Sequence, residues 1–436
     1  MNQSTAPPLS PSLKAKLSGM MFLQYAIWGA WLPFLWSFLN EHHGMNGAQI
    51  GNMFAVGAVG AIVGPFVAGQ IADRYFSTEK YLAISHLIGA VVILQLAEIS
   101  SYSGFLGFSL IYGLVYAPTL SLTNSLAVHH IPDIDRDFGR VRMWGTLGWI
   151  AVGRAMGQWL AYQHTPGGDA TAEVIAAAQV AGKADAFRLS AILGGLMGLY
   201  CFFLPHTPPT PAAQAGDSNA TFEAMSEVKR QPLLALFLLA VPVSCIHQFY
   251  FVHTEVFLGA MQMEAPAWST RIFGVGGGGL MTVGQMSELL VIAAIPLVAK
   301  KCSRRTLLAA GLVAYALRMA LFAYVDHIPL PTMVTLLTGI ALHGFCFGCF
   351  IFVAFMIVDE NTTKDVRASA QNLFNLVIIG IGVILGSKVA GWVSDEYAKG
   401  DYQKLFSVPM WAAVAVLVLL FLIYPGGRRQ DAPETA

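Results

Sequence analysis

Residues 284–298 read "GQMSELLVIAAIPLV" and place Gln285 and Glu288 at i and i+3, on one side of any helix they form. The surrounding run, from Gly274 to Ala299, is otherwise apolar and long enough to cross a bilayer. A carboxylate at bilayer depth costs roughly 2.5–3.5 kcal/mol even on lenient insertion scales, so it faces a cavity or a partner and is a candidate proton carrier. Two other stretches carry related chemistry. "RMWGTLGWIAVG" sets Arg142, Thr146 and Trp149 at i, i+4 and i+7, on one helical face. "IHQFYFVHTEVF" sets Gln248 inside a membrane-length apolar run, with His247 and Tyr250 beside it. An arginine, two amides, a carboxylate, a hydroxyl and an indole together can hydrogen-bond a polar solute and stack on a flat ring. Each also has a purely structural reading. Arg142, about a turn into its span, can snorkel; Thr146 can bond its own backbone; a lone glutamine can tie two helices; and Glu288 can pair permanently with an arginine.

The elements that would hold these groups follow from composition. Of 436 residues, 56% are hydrophobic and 11% charged, with a mean hydropathy of +0.59, where soluble proteins carry about 25% charged residues. Apolar stretches lie near 17–40, 48–71, 81–99, 105–128, 141–163, 186–204, 233–257, 272–299, 306–325, 331–357, 368–393 and 405–424, each long enough to span the hydrocarbon core. The first is too long for a signal-peptide core and lacks a small-residue cleavage site, so it is expected to be retained after a leader at 1–16. The segment 205–232, "PHTPPTPAAQAGDSNATFEAMSEVKRQP", reads as a linker. It separates 17–204 from 233–424, halves of nearly equal length, and a solvated tail follows at 425–436. The expected fold is an all-α polytopic membrane protein of twelve transmembrane helices in two six-helix pseudo-repeats, the pattern of duplicated transporters with a substrate site between the repeats.

Sixteen of the lysines and arginines fall on one side if the amino terminus is cytoplasmic, five on the other and four within spans, which together make up the 25 present. Both termini and the linker are therefore expected in the cytoplasm and the 164–185 loop outside. The formal net charge of zero argues against a nucleic-acid partner. The five cysteines imply no disulfide framework, and "CFGC" at 346–349 lacks the second pair a metal site needs. The glycine run "GVGGGG" at 274–279 follows no strand, so it reads as flexibility or close packing rather than a nucleotide loop, and no HExxH, GxSxG or P-loop occurs.

The loop "GQIADRYFSTEK" resembles the short signature of the major facilitator superfamily, with Gly69, Asp73 and Arg74 in the matching places; its counterpart in the second half, "KKCSRRT", is degenerate. Over nearly the whole chain the sequence resembles the bacterial nucleoside:proton symporters of that superfamily. The resemblance lies in "FLQYAIWGAW", "AISHLIGA", "YAPTLSLTNS", "RMWGTLGW", "QMSE" and "RASAQ". It implies a nucleoside site at Arg142, Thr146, Trp149, Gln248, Gln285 and Glu288, with the proton as coupling ion and Glu288 as its candidate carrier. Gln24, Trp28, His86, Asn124, His247 and Phe251 are further candidates for the cavity lining. No cofactor, metal or obligatory protein partner is implied, only the nucleoside and the lipid bilayer, in a multi-pass protein of the inner membrane. Three positions depart from the family pattern: Trp149 stands where phenylalanine is usual, Phe251 where a polar residue often follows the glutamine of span 7, and Gly348 where an aspartate is expected in span 10. An uncoupled facilitator or antiporter on the same fold, or a membrane ligand sensor that transports nothing, remain the alternative functions.

Overall fold

In lipid, only structures that satisfy every backbone hydrogen bond internally can span, and this chain does so with helices. A computed structural model describes residues 7–72, 76–208, 218–263, 265–363 and 366–425, among which no strand occurs. Asp73 and Arg74 of the signature loop, much of the linker and nearly all of the tail lie outside the described residues. The long helices are α1 (Pro11–Trp31), α2 (Gly47–Ala72), α3 (Thr78–Leu96), α4 (Tyr102–His130), α5 (Ile134–Gln163) and α6 (Ala172–Phe203), then α7 (Leu233–Gln262), α8 (Gly278–Val298), α9 (Arg304–Ala323), α10 (Thr332–Glu360), α11 (Ser369–Ala398) and α12 (Tyr402–Ile423). Among the described residues, nine of them are long and apolar enough to cross a membrane; α1, α2 and α5 occupy the remaining expected spans. Leu290, Leu297 and Leu422 are each more than two-thirds exposed, as lipid-facing side chains must be.

Local irregularities have local causes. Pro33 lacks an N–H, and the chain after Trp31 passes through a 3₁₀ turn at Leu32–Phe34 and a π turn at Phe38–His42 before helix resumes at Gly47. The first part of α6, Ala172–Gly182, falls in the expected 164–185 loop; it is capped by the Thr171 hydroxyl, and a turn at Lys183 divides it from the rest of α6. The linker contains a further helix at Ser218–Val228. Span 8 starts later than hydropathy suggests. Gly274, Gly276 and Gly277 have φ of +77°, +80° and +77°, a region that favours glycine, so helix begins only at Gly278.

The chain gathers into two compact units. The first comprises the described residues of 1–214 with Phe251–Thr282 and Ala390–Trp392, and the second holds the first part of α7, α8 from Val283 and most of α9–α12. In the first unit, Phe34, Met156, Leu160 and Ala186 form one core cluster, against which Trp31, Leu189 and Val275 pack. α1 and α5 lie backbone to backbone there, since a Cβ on Gly148 would overlap the Phe22 carbonyl. The glycine segment is docked in the same unit. Val275 N–H donates to the Gly157 carbonyl (3.0 Å), while the Gln262 amide donates to Gly274 O (3.0 Å) and accepts from Gly277 N–H (3.1 Å). Close packing, not flexibility, explains "GVGGGG".

Candidate functional site

The expected face of α5 is present in the first unit. Arg142, Thr146 and Trp149 are all half-buried. The Arg142 guanidinium lies 4.0 Å over the Tyr25 ring, in space left by Gly145, and makes no ion pair or hydrogen bond among the described residues. Trp149 meets Trp28 edge to face at 5.4 Å. A cation, a hydroxyl and an indole thus share one half-buried face, and their side-chain polar atoms make no hydrogen bond among the described residues.

Gln24 and His86 are committed elsewhere. The Gln24 amide donates to Thr119 Oγ1 (2.8 Å) and accepts from His86 Nε2 (2.9 Å), and the Tyr116 hydroxyl donates to the Gln24 carbonyl. This buried network knits α1, α3 and α4 together. Asn124 donates to Leu120 O (2.9 Å), while its buried Oδ1 has no hydrogen-bond partner among the described residues. A second polar network in this unit was not legible as a cluster. Glu255, fully buried, accepts from the Ser37 hydroxyl (2.6 Å); Lys183 Nζ stands 3.0 Å from its other oxygen, a charge contact without hydrogen-bond alignment, and 3.8 Å from Glu41. Phe251 belongs to this unit as well.

The second unit holds Gln248, Gln285, Glu288 and His247. Both amides are buried, and Gln285 Oε1 has no hydrogen-bond partner among the described residues. Gly386 on α11 lets that helix approach Gln248, whose Cβ would stand 2.9 Å from an added Cβ. His247 Nδ1 shares a hydrogen bond with the Tyr315 hydroxyl (2.7 Å) and its ring stacks on His343 (5.3 Å). Glu288 keeps 18% of its side chain exposed, and its Oε2 lies 3.5 Å from His343 Nε2. His343 Nδ1 meets Arg318 Nη1 at 2.9 Å, with Arg318 wholly buried between the rings of Tyr250 (4.4 Å) and Tyr315 (5.2 Å). Neither His343 nor Arg318 was among the expected site residues, although "ALHGF" and "ALRMA" each place an ionisable group in an apolar run, the same signal that singled out Glu288. Gly348 lies in a π turn, Cys346–Phe352, where an added Cβ would come 2.7 Å from a Val291 methyl, so a longer side chain there requires Val291 to move. Among the described residues no cluster could hold a metal ion, and Cys346 and Cys349 are free thiols.

The first unit thus carries a cation and an indole on α5, and the second a carboxylate with two amides on α7 and α8. Residues 11–428 match the family described as Nucleoside H+ symporter. This chain belongs to that family. YegT of Escherichia coli (strain K12) is 31% identical over 424 residues, covering 94% of this symporter and 93% of YegT. Nucleoside permease NupG of the same organism is 27% identical over 407 residues, covering 91% and 92%. A crystal structure of nucleoside transporter NupG superposes with a TM-score of 0.78 at 26% identity, covering 94% of the symporter and 98% of that chain. The fold is accordingly that of the major facilitator superfamily, as the sequence resemblance implied. The symporter is a multi-pass membrane transporter that moves nucleosides with protons.

Proposed function

We propose that nucleoside is bound through Arg142, Thr146, Trp149, Gln248, Gln285 and Glu288, and that Glu288 carries the coupling proton in an alternating-access cycle. The observation that carries this reading is the half-buried Arg142 guanidinium, which makes no ion pair or hydrogen bond among the described residues, on a face shared with Thr146 and Trp149. An arginine at membrane depth without an acid beside it is costly unless water or a solute supplies acceptors. Trp149 offers a flat face for a base or sugar, and Gln285 contributes an unmatched buried acceptor. Glu288 is partly accessible, which a group that takes up and releases protons requires. The protein is assigned to the inner membrane with both termini cytoplasmic, on the asymmetry of its basic residues.

Radiolabelled nucleoside uptake into proteoliposomes, with and without an imposed pH gradient, tests the assignment. Glu288→Gln keeps shape and hydrogen bonding but cannot titrate. It is expected to lose gradient-driven accumulation and to keep measurable exchange between preloaded vesicles and medium. Accumulation by Glu288→Gln with the parent's pH dependence would remove Glu288 from coupling.

A further inference from the structure

The hydrogen-bonding capacities around His343 fix its protonation. A guanidinium has donors only, so the 2.9 Å contact between Arg318 Nη1 and His343 Nδ1 requires a bare Nδ1. A neutral ring then carries its single hydrogen on Nε2, the atom that faces Glu288 Oε2 at 3.5 Å. The ring is held in that orientation by stacking on Tyr250 (4.6 Å) and on His247 (5.3 Å), one turn apart on α7. Gly284 allows the approach, since a Cβ there would stand 2.9 Å from the Tyr250 hydroxyl and 3.1 Å from the Cβ of His343. Glu288 lies one turn further along α8.

We propose that His343 is the positioning residue for the coupling acid: a neutral imidazole, locked by Arg318 with its hydrogen on Nε2, that presents a donor to ionised Glu288 and links that carboxylate to the buried arginine. The proposal rests on the reading of Glu288 as the proton carrier. The groups that meet the imidazole are Arg318 from α9, Tyr250 and His247 from α7 and Glu288 from α8, with Tyr315 against Arg318 and His247 behind them. Arg318 is the permanent cation among them, and a second proton on the ring would have to displace it. A proton arriving at the pair therefore stays on Glu288, where it turns the acceptor facing Nε2–H into a neutral acid and weakens the contact. Loading the proton frees the carboxyl from the imidazole; releasing it restores the link.

Two replacements separate this role from simple packing. Asparagine at 343 can keep an acceptor at the reach of Nδ1 but presents nothing at Nε2, whereas glutamine can place an N–H near Nε2 and loses the acceptor for Arg318. His343→Asn should move the pH profile of gradient-driven uptake, normalised to its own maximum, to higher pH by about one unit or more, the size expected for loss of a donor to a charged group. His343→Gln should move it less, and in a Glu288→Gln background, which keeps exchange but not accumulation, His343→Asn should leave the pH profile of exchange unmoved. Equal shifts in the two single variants, or none in either, would overturn the proposal. A test on the unaltered side chain covers the case of misfolded variants. In ¹⁵N-histidine spectra of the full-length protein at neutral pH, the signal perturbed by Glu288→Gln should report a neutral ring with its hydrogen on Nε2. An imidazolium, or a hydrogen on Nδ1, would refute the assignment. Failure of Glu288 as the coupling acid would appear separately, as an unaltered pH profile in Glu288→Gln itself.

Discussion

Lys183→Met is the most demanding test of the packing described for the first unit. The variant keeps most of the side-chain volume and removes the ammonium 3.0 Å from Glu255, whose side chain is wholly buried. At that distance, with an effective dielectric constant of about 20, the attraction is about 5.5 kcal/mol, part of which offsets the desolvation of both charges. Removing one partner leaves the other buried with only the Ser37 hydroxyl, and such losses run to about 3–5 kcal/mol. Glu41, 3.8 Å from Lys183, does not compensate, because it carries the same sign as Glu255. For a unit of this size, about 2–4 °C per kcal/mol translates the loss into a drop of about 6–20 °C in the thermal midpoint. The assay is intrinsic-fluorescence unfolding of purified protein in detergent, run on Lys183→Met, Glu255→Gln and the double variant. The double variant should recover most of the loss, because two neutral side chains need no partner charge. A Lys183→Met midpoint within about 2 °C of the parent, or a double variant no more stable than Lys183→Met, would refute the reasoning.

Gln285→Ala leaves a nucleoside group unpaired, and calorimetry on folded protein should show binding weakened about 5–150-fold; an unchanged affinity would remove Gln285 from the site. In a background without native cysteines, Asp169→Cys should react with an impermeant thiol reagent added to intact cells and Glu223→Cys should not; the reverse pattern would invert the proposed orientation. Gly277→Ala would put a Cβ onto the Glu255 carbonyl in addition to its positive φ, whereas at Gly276 the first obstacle is a Leu160 methyl 3.3 Å away. Unfolding midpoints should therefore fall further for Gly277→Ala than for Gly276→Ala, whose cost is about 1–2 kcal/mol of backbone strain.

Much of the helical layout was legible because one physical rule, an apolar run of sufficient length, writes it into the sequence. The α5 face was legible for the same kind of reason: Arg142, Thr146 and Trp149 recur at helical spacing. Glu288 announced itself as a charge in an apolar run, and His343 and Arg318 carried the same signal, but it is the fold that brings the three together. Spacing says nothing about such contacts, because Arg318 and His343 sit on different helices. Lys183 and Glu255 are a stronger case, since one lies in an expected polar loop and the other towards the end of a span, and no local pattern joins them. Gln24 and His86 show the converse. Their residue types suited a cavity lining, whereas their hydrogen bonds are spent on each other and on Thr119.

The buried Arg318 also bears on how the protein is made. When α9 leaves the ribosome, its arginine sits within an apolar segment, five residues before the helix ends, where insertion costs up to roughly 2.5–3.5 kcal/mol. Tyr250, two helices earlier, is already available to offer its ring face, but His343 is encoded 25 residues after Arg318 (343 − 318) and follows at about 5–20 residues per second. Were α9 to enter alone, the guanidinium would spend roughly one to five seconds in the membrane without the imidazole that accepts its hydrogen bond. The α9–α10 hairpin therefore has reason to enter the bilayer as a pair, with α10 recruited by the unmet donor as much as by its own hydropathy.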